Sequence, residues 1–444
     1  MFQRFAISGI LLWCALAASA RTRPHYGGTL RIDVQGDPWQ GVDGIARRLT
    51  MDGLTQLGST AAVRPALAVR WESQNGDHRW QFWIRANVQF HDGTPLTADA
   101  VVAALTQSCR NGCPWTKVHA VGPSLVFTND SPMPDLPAQL AQAKFLISHV
   151  NAQGSLEGTG AFRIAGFPNG VMVFTANDDY WSGRPFADTV EVRPKRSVRD
   201  QWLDLSIGRT DVAEVPPEML RQAQQQHLTV LASSPVNLLL LEIASTGSLA
   251  NPQLRQAIAL AVDRSALYNV IFQKQGEVTA SVLPDALSGY SFLFSTERNL
   301  NRAQELRGAT PPPLMLTVED GNAEMQLTAE RIALNLREAG FRVQVVSGSA
   351  RTQPDIVLRR LHLEANNSPA ALDEMLETSG QRVTLNGTDA ASLYRAEKDF
   401  LGTYTVVPLL WMPRAYAVGE RVRDLRLAAD GSPLISDAAL EDVK

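Results

Sequence analysis

"WQFWIRANVQFHDGTPLTADAVV", residues 80–102, packs a strand, a turn and a helix start into one stretch, and its reading sets the fold class. From Trp80 to Phe90 large apolar and polar residues alternate with period two, as in a half-buried strand. Asp92-Gly93 supplies the turn, because Asp bonds its own backbone and Gly accepts positive φ. Thr97 is suited to cap the apolar run Val101, Val102, Leu105, with Asp99 in the first turn where the helix dipole favours a negative charge. The histidine beside an aspartate raises the question of a catalytic or metal site. No local partner completes one, and His91 reads as a surface residue beside the turn.

Outward from this stretch the same alternation of strands and helices continues. "GGTLRIDV" is a short strand, and "RRLTMDGLTQLGSTAAVRPALAVRWES" reads as a helix, a turn and a short amphipathic stretch. "TGAFRIAGFPNGVMVFTANDDYW" reads as a β-hairpin turned at Pro-Asn-Gly; "TVEVRPK" follows as a strand, then a helix near Arg199 to Ile207. "VNLLLLEI" is a continuous apolar strand of the kind covered on both faces, and Asn251-Pro252 opens the helix "PQLRQAIALAVDRSALYNVIF". A further helix carries Met325, Ala329, Ile332 and Leu336 on one stripe, stops at Gly340, and leads into "FRVQVV". Near the end "YTVVPLLWMPRAYAV" is extended and aromatic, and only "RGATPPPL" has the composition of a linker. This order predicts an α/β protein, and 444 residues suffice for two or three domains.

The ends and the charge balance bound the setting. Arg4, the apolar run "FAISGILLWCALA" and Ala18-Ser19-Ala20 read as a secretory signal peptide cut after Ala20, with an uncleaved anchor as the alternative. A net charge of -4 with both signs interspersed gives no nucleic-acid footprint. In an exported protein Cys109 and Cys113 are most simply a disulfide, Asn111-Gly112 making the bend; zinc with His119 as third ligand is the alternative, lacking a fourth ligand. No nucleophile elbow, zinc helix or phosphate loop occurs, so no metal, cofactor or catalytic set is expected.

Eight stretches, "GGTLRI", "DGLTQL" with "RPALAVRWE", "WQFWIRANVQFHDGTPLTADAVV", "GTGAFRI", "NDDYWSGRPFADTVEVR", "GRTDVAEV", "LRQAIALAVDRSALYNVIF" and "VVPLLWMPRAYAVGERVRDLR", together resemble the family 5 extracellular solute-binding proteins, similar to the dipeptide, oligopeptide and nickel receptors of ABC importers. The resemblance implies a two-lobed periplasmic-binding-protein fold of type II, hinged on two strands. Lobe I would be residues 24–235 plus 404–444, with an inserted subdomain at about 51–151, and lobe II residues 236–403. It implies a periplasmic or extracellular monomer without cofactor or catalysis, which binds a peptide or peptide-like solute and passes it to ABC permease subunits; a sensor or interaction protein with a degenerate cleft is the alternative. Strand ends and the family topology point to Trp39, Asn237, Glu242, Arg360, Glu364, Trp411 and Tyr416 as ligand-binding residues. The family's "W-x-x-D-Y-P-D" kind of segment is replaced by "RRLHLEANNSPAAL", where Glu364 is the nearest acidic anchor.

Overall fold

The structure is a computed structural model that describes residues 25–39, 44–59, 62–109, 113–216, 219–226, 228–319, 323–346, 353–365, 367–380 and 387–441. The expected signal peptide, its cleavage at Ala20 and the Asn111-Gly112 bend lie outside the described residues.

The apolar run at residues 236–243 is the axis of the molecule. It belongs to the strand Thr229–Ile243, which pairs antiparallel with Val406–Val418 along nearly its whole length at the centre of an 11-stranded sheet. On one flank follow Val212–Glu214, Thr29–Asp33, Thr189–Arg193 and the hairpin Met172–Ala176 with Phe162–Gly166; on the other lie Ile356–His362, Pro313–Val318 and Arg342–Val346. Alternate residues of the axis point to different cores. Leu239, Leu241 and Ile243 join the core under the helices Pro252–Ala261 and Ala323–Glu338, whereas Leu238 and Leu240 join one built with Leu372, Met375, Leu393 and Phe400. Both faces are covered, so the run shows no polar alternation.

The two central strands cross from one set of cores to another. Val407, Leu409, Leu410 and Met412 pack with the second half of the chain; Tyr416 and Val418 pack with Leu30, Ile32, Val190 and Val212 of the first. At the crossing the register shifts, and Pro235 stands opposite Pro413. Neither proline has an N–H, so the ladder is unpaired there. The return expected from Tyr404 enters through the second-lobe cores, and core membership along this strand changes between Met412 and Ala415.

A third core, from Leu54 to Ile147, packs on the four-stranded sheet Ala68–Gln74, Arg79–Ile84, Ser124–Thr128, Lys117–Val121. Here the turn and the cap behave as read, Thr97 Oγ1 capping the helix Ala98–Ser108 by accepting the Ala100 N–H at 3.1 Å, but the strand expected to reach Phe90 is Arg79–Ile84 and ends before a turn with Asn87 at positive φ. Cys109 and Cys113 form a disulfide just beyond that helix, which excludes their use as zinc ligands.

Three local expectations change. His91 is half-buried, its Nε2 3.0 Å from the Gly160 carbonyl, so it ties the subdomain to the hairpin strand. The "amphipathic stretch" is the strand Ala68–Gln74, turned back by Asn75, Gly76 and Asp77, all at positive φ. The long helix from Pro252 breaks at Val262, because the Asp263 N–H is taken by Asn335 Oδ1 at 3.1 Å and Asp263 then caps a new turn at Ala266. The proline-rich "RGATPPPL" leads directly into the strand Pro313–Val318.

Candidate functional site

The lobes meet along a seam of charged and polar groups. The helix Ile45–Thr50 ends with Arg48 facing the second lobe; Arg48 Nη2 donates to Asp430 Oδ2 at 2.6 Å and lies 4.0 Å from Glu364 Oε1. Asp430 is fixed by a turn in which its Oδ1 accepts the Ser432 N–H at 3.0 Å. From the first lobe's subdomain, the Ala143 N–H donates to Glu364 Oε2 at 2.7 Å and Gln142 Nε2 to Glu374 Oε2 at 2.9 Å. Glu374, on the helix Ser368–Thr378, also accepts the N–H groups of Glu364 and Ala365 at 2.8 and 3.0 Å, so it shapes the loop that presents Glu364.

Burial pushes the Glu374 carboxyl up to about 8, helped by the charge of Glu364 and resisted by the backbone donors. His362, at the end of its strand, sits 2.9 Å from Asn237 Oδ1. Burial, then the positive charge of Arg414, lowers its pKa, so it is neutral with the Nδ1 proton on Asn237. Burial opposes ionisation of Asp430, but Arg48 and the Ser432 donors outweigh it and its pKa is lowered.

Beside this seam, within the first lobe, is a cavity of about 120 Å³ whose walls include Arg48, Leu49, Met51, Asp52, Phe162 and Ile435. Asp52 is saturated: its carboxylate accepts from Tyr180 OH at 2.9 Å, Trp181 Nε1 at 2.8 Å and Thr159 Oγ1 at 2.9 Å. Burial still raises its pKa from 3.8 to about 6 against those three donors. A carboxyl whose folded pKa lies above its unfolded value contributes stability that is complete below the unfolded pKa and lost as pH rises through the folded one. Wild type is therefore expected to lose on the order of 2–3 kcal/mol between about pH 4 and pH 6 through this group. Urea titrations at several pH values should show this slope, and Asp52→Asn should flatten it; an unchanged slope would reject the assignment.

Of the seven residues expected in the cleft, the structure brings Asn237 and Glu364 to the seam. Tyr416 touches its edge through its hydroxyl, which takes a hydrogen bond from Arg414 Nη2. Trp39 packs half-buried on the first-lobe core, and Trp411, 1% exposed, lies inside the second. Glu242 pairs with Arg359, and Arg360 with Glu324 on the helix Ala323–Glu338. Glu242 lies five residues, about 17 Å, further along the strand than Asn237. Arg48, Gln142, His362, Glu374 and Asp430 were not singled out by the sequence; their partners are long-range, and only the Asp430-Gly431-Ser432 turn has a local signature.

The fold is that of two-lobed binding proteins. Residues 62–382 match the family described as "Bacterial extracellular solute-binding proteins, family 5 Middle". The chain belongs to this family. Among family relatives, it is 22% identical to the nickel-binding protein NikA of Staphylococcus aureus over 315 residues, 67% of this chain and 64% of that protein. It is also 22% identical to the dipeptide-binding protein of Escherichia coli over 282 residues, 53% of this chain and 52% of that one. The chain thus matches under two-thirds of the length of these family relatives. Solved family structures superpose closely: NikA of S. aureus in complex with Ni(L-His)2, with a TM-score of 0.80, 18% identity, and 93% of this chain and 100% of that chain covered; and DppA of Helicobacter pylori in complex with the peptide STSA, with 0.81, 17%, 94% and 99%.

Proposed function

We propose that this family 5 protein works outside the cytoplasm as a monomer that captures a small peptide-like solute at the seam between its lobes and delivers it to the permease subunits of an ABC importer. The observation that carries the reading is the seam itself. Glu364 with Ala143, and Glu374 with Gln142, are contacts between lobes that exist only when the lobes are together. They lie on the far side of a crossing where Pro235 faces Pro413 and the ladder is unpaired, so closure can proceed by bending two strands. Peptide-binding relatives and neighbours support the solute class.

Calorimetry with a panel of di- and tripeptides tests this: cleanly folded protein that binds none of them would end the peptide reading. If closure and binding are coupled, Gln142→Ala removes an interlobe contact without touching the loop that presents Glu364, and peptide affinity is expected to fall about tenfold. Unchanged affinity in that variant would show that the seam does not take part.

A further inference from the structure

Glu364 docks on the first lobe as a bound carboxylate would. Its Oε2 takes the Ala143 N–H at 2.7 Å and its Oε1 lies 4.0 Å from Arg48 Nη2, although Glu364 and Ala143 are 221 residues apart. Arg47 holds the Ala143 carbonyl through its Nη2 at 2.9 Å, which anchors the same residue one peptide unit further on and brings a second guanidinium to the same edge. Arg48 itself is only partly used. One terminal nitrogen is on Asp430 at 2.6 Å, while its Nε is buried and has no hydrogen-bond partner among the described residues. A buried guanidinium N–H without an acceptor is costly, and a carboxylate satisfies a guanidinium fork best.

Arg48 is also a wall of the 120 Å³ cavity, which has an apolar side made by Ile45, Leu49, Met51, Leu146 and Phe162 and a polar side that includes Asp430 and Ser432. Of the two acids in that wall, Asp52 already has its three donors and Asp430 is paired with one terminal nitrogen of Arg48, so neither demands a further cation. A volume of this order accepts an apolar group no larger than about a benzene ring.

Resting on the solute-binding reading, we propose that the Ala143 N–H and the Arg48 guanidinium form a carboxylate site on the first lobe. Glu364 fills this site when the lobes are together, and the solute displaces it with a carboxylate of its own that carries a short apolar group into the adjoining cavity. Glu364 is thereby a tethered competitor, and the protein selects a carboxylic acid with a small apolar body.

The test uses the full mature chain and two simple probes, sodium acetate and sodium isovalerate, titrated calorimetrically against sodium chloride at matched ionic strength. In wild type the tethered carboxylate holds the site and both acids bind weakly. In Glu364→Ala both are expected to bind at least tenfold more tightly than in wild type. Isovalerate is expected to exceed acetate by a further tenfold or more, since each buried methylene is worth roughly fourfold. Adding Arg48→Gln to that variant should abolish the gain. If Glu364→Ala does not melt cooperatively, Glu364→Gln gives the same comparison, because a neutral amide competes less well for the guanidinium.

Equal binding by wild type and variant, or binding by neither, overturns the site; equal affinity for the two acids overturns the cavity's part in it. The two readings fail separately. Isovalerate binding to Glu364→Ala, with no peptide bound by wild type, would keep the carboxylate site and remove the peptide-capture reading. Peptide binding by wild type with no acid bound by the variant would do the reverse.

Discussion

Replacing Glu397 by alanine is expected to cost about 3–5 kcal/mol of stability, among the largest effects of any single substitution of a polar residue in this protein. Glu397 lies on the helix Ala390–Leu401 and is fully buried. Its Oε1 accepts Ser281 Oγ at 2.6 Å and the N–H groups of Val282 and Leu283 at 2.7 and 3.3 Å, and so fixes the chain between Thr279 and Leu283 against the second-lobe core. Burial raises its pKa despite these donors. Alanine would strand the Val282 N–H in the interior and leave Ser281 Oγ and the Leu283 N–H only each other and the Leu283 carbonyl, whereas Glu397→Gln keeps an oxygen for all three and removes the charge. The glutamine variant is expected within about 1 kcal/mol of wild type. Urea unfolding of both variants decides the matter: equal losses would mean that lost packing, and not stranded donors, sets the cost.

Asp211→Ala is expected to follow closely, at about 2–4 kcal/mol. Asp211 joins three distant parts of the first lobe. Its carboxylate takes the Arg31 N–H at 2.8 Å and Arg31 Nε at 3.0 Å from the first strand, and Arg421 Nε at 2.7 Å from beyond the last long strand. Burial pushes its pKa up, but the hydrogen bonds from Arg421 and Arg31 outweigh it and hold the carboxyl below its ordinary 3.8. A depressed folded pKa contributes stability that is present above the unfolded value and lost as pH falls through the folded one. Wild type should therefore weaken below about pH 4 through this group, and Asp211→Asn should lack that acid loss. A variant that keeps the full acid limb of the stability curve would contradict the assignment. Asp52, raised where Asp211 is lowered, acts in the opposite direction over the adjacent pH range.

Much of the fold was legible because its determinants are local. The start of the period-two run at Trp80, the Thr97 cap and the Met325–Leu336 stripe each state their element within a few residues. The apolar strand at 236–243 announced a doubly covered centre, which the two cores on its faces provide. One misreading has a local cause and the other a distant one. Asn75-Gly76-Asp77 was a hairpin turn hidden beside an amphipathic pattern, and the helix after Pro252 is interrupted by Asn335, which the sequence places 72 residues away.

The seam was far less legible. Asn237 and Glu364 were reachable from strand ends, but Gln142 meets Glu374 across 232 residues and Arg48 meets Asp430 across 382, with no spacing to betray either pair. Trp411 and Arg360 were expected in the cleft from strand ends and the family topology. In the fold, one faces inward to a core and the other is held by a helix.

The facing prolines at the lobe crossing affect how any motion there can be observed. Pro235 and Pro413 carry no amide proton, so hydrogen exchange and amide-detected spectra have no probe at the point about which the lobes would turn. Opening and closing would register only one or two residues away, at the amides of Asn237 and Arg414, the latter bonded to Ser233 Oγ at 3.0 Å. A flat exchange profile across the crossing would thus say nothing about rigidity. A carbon-detected or side-chain probe is needed to see the pivot move.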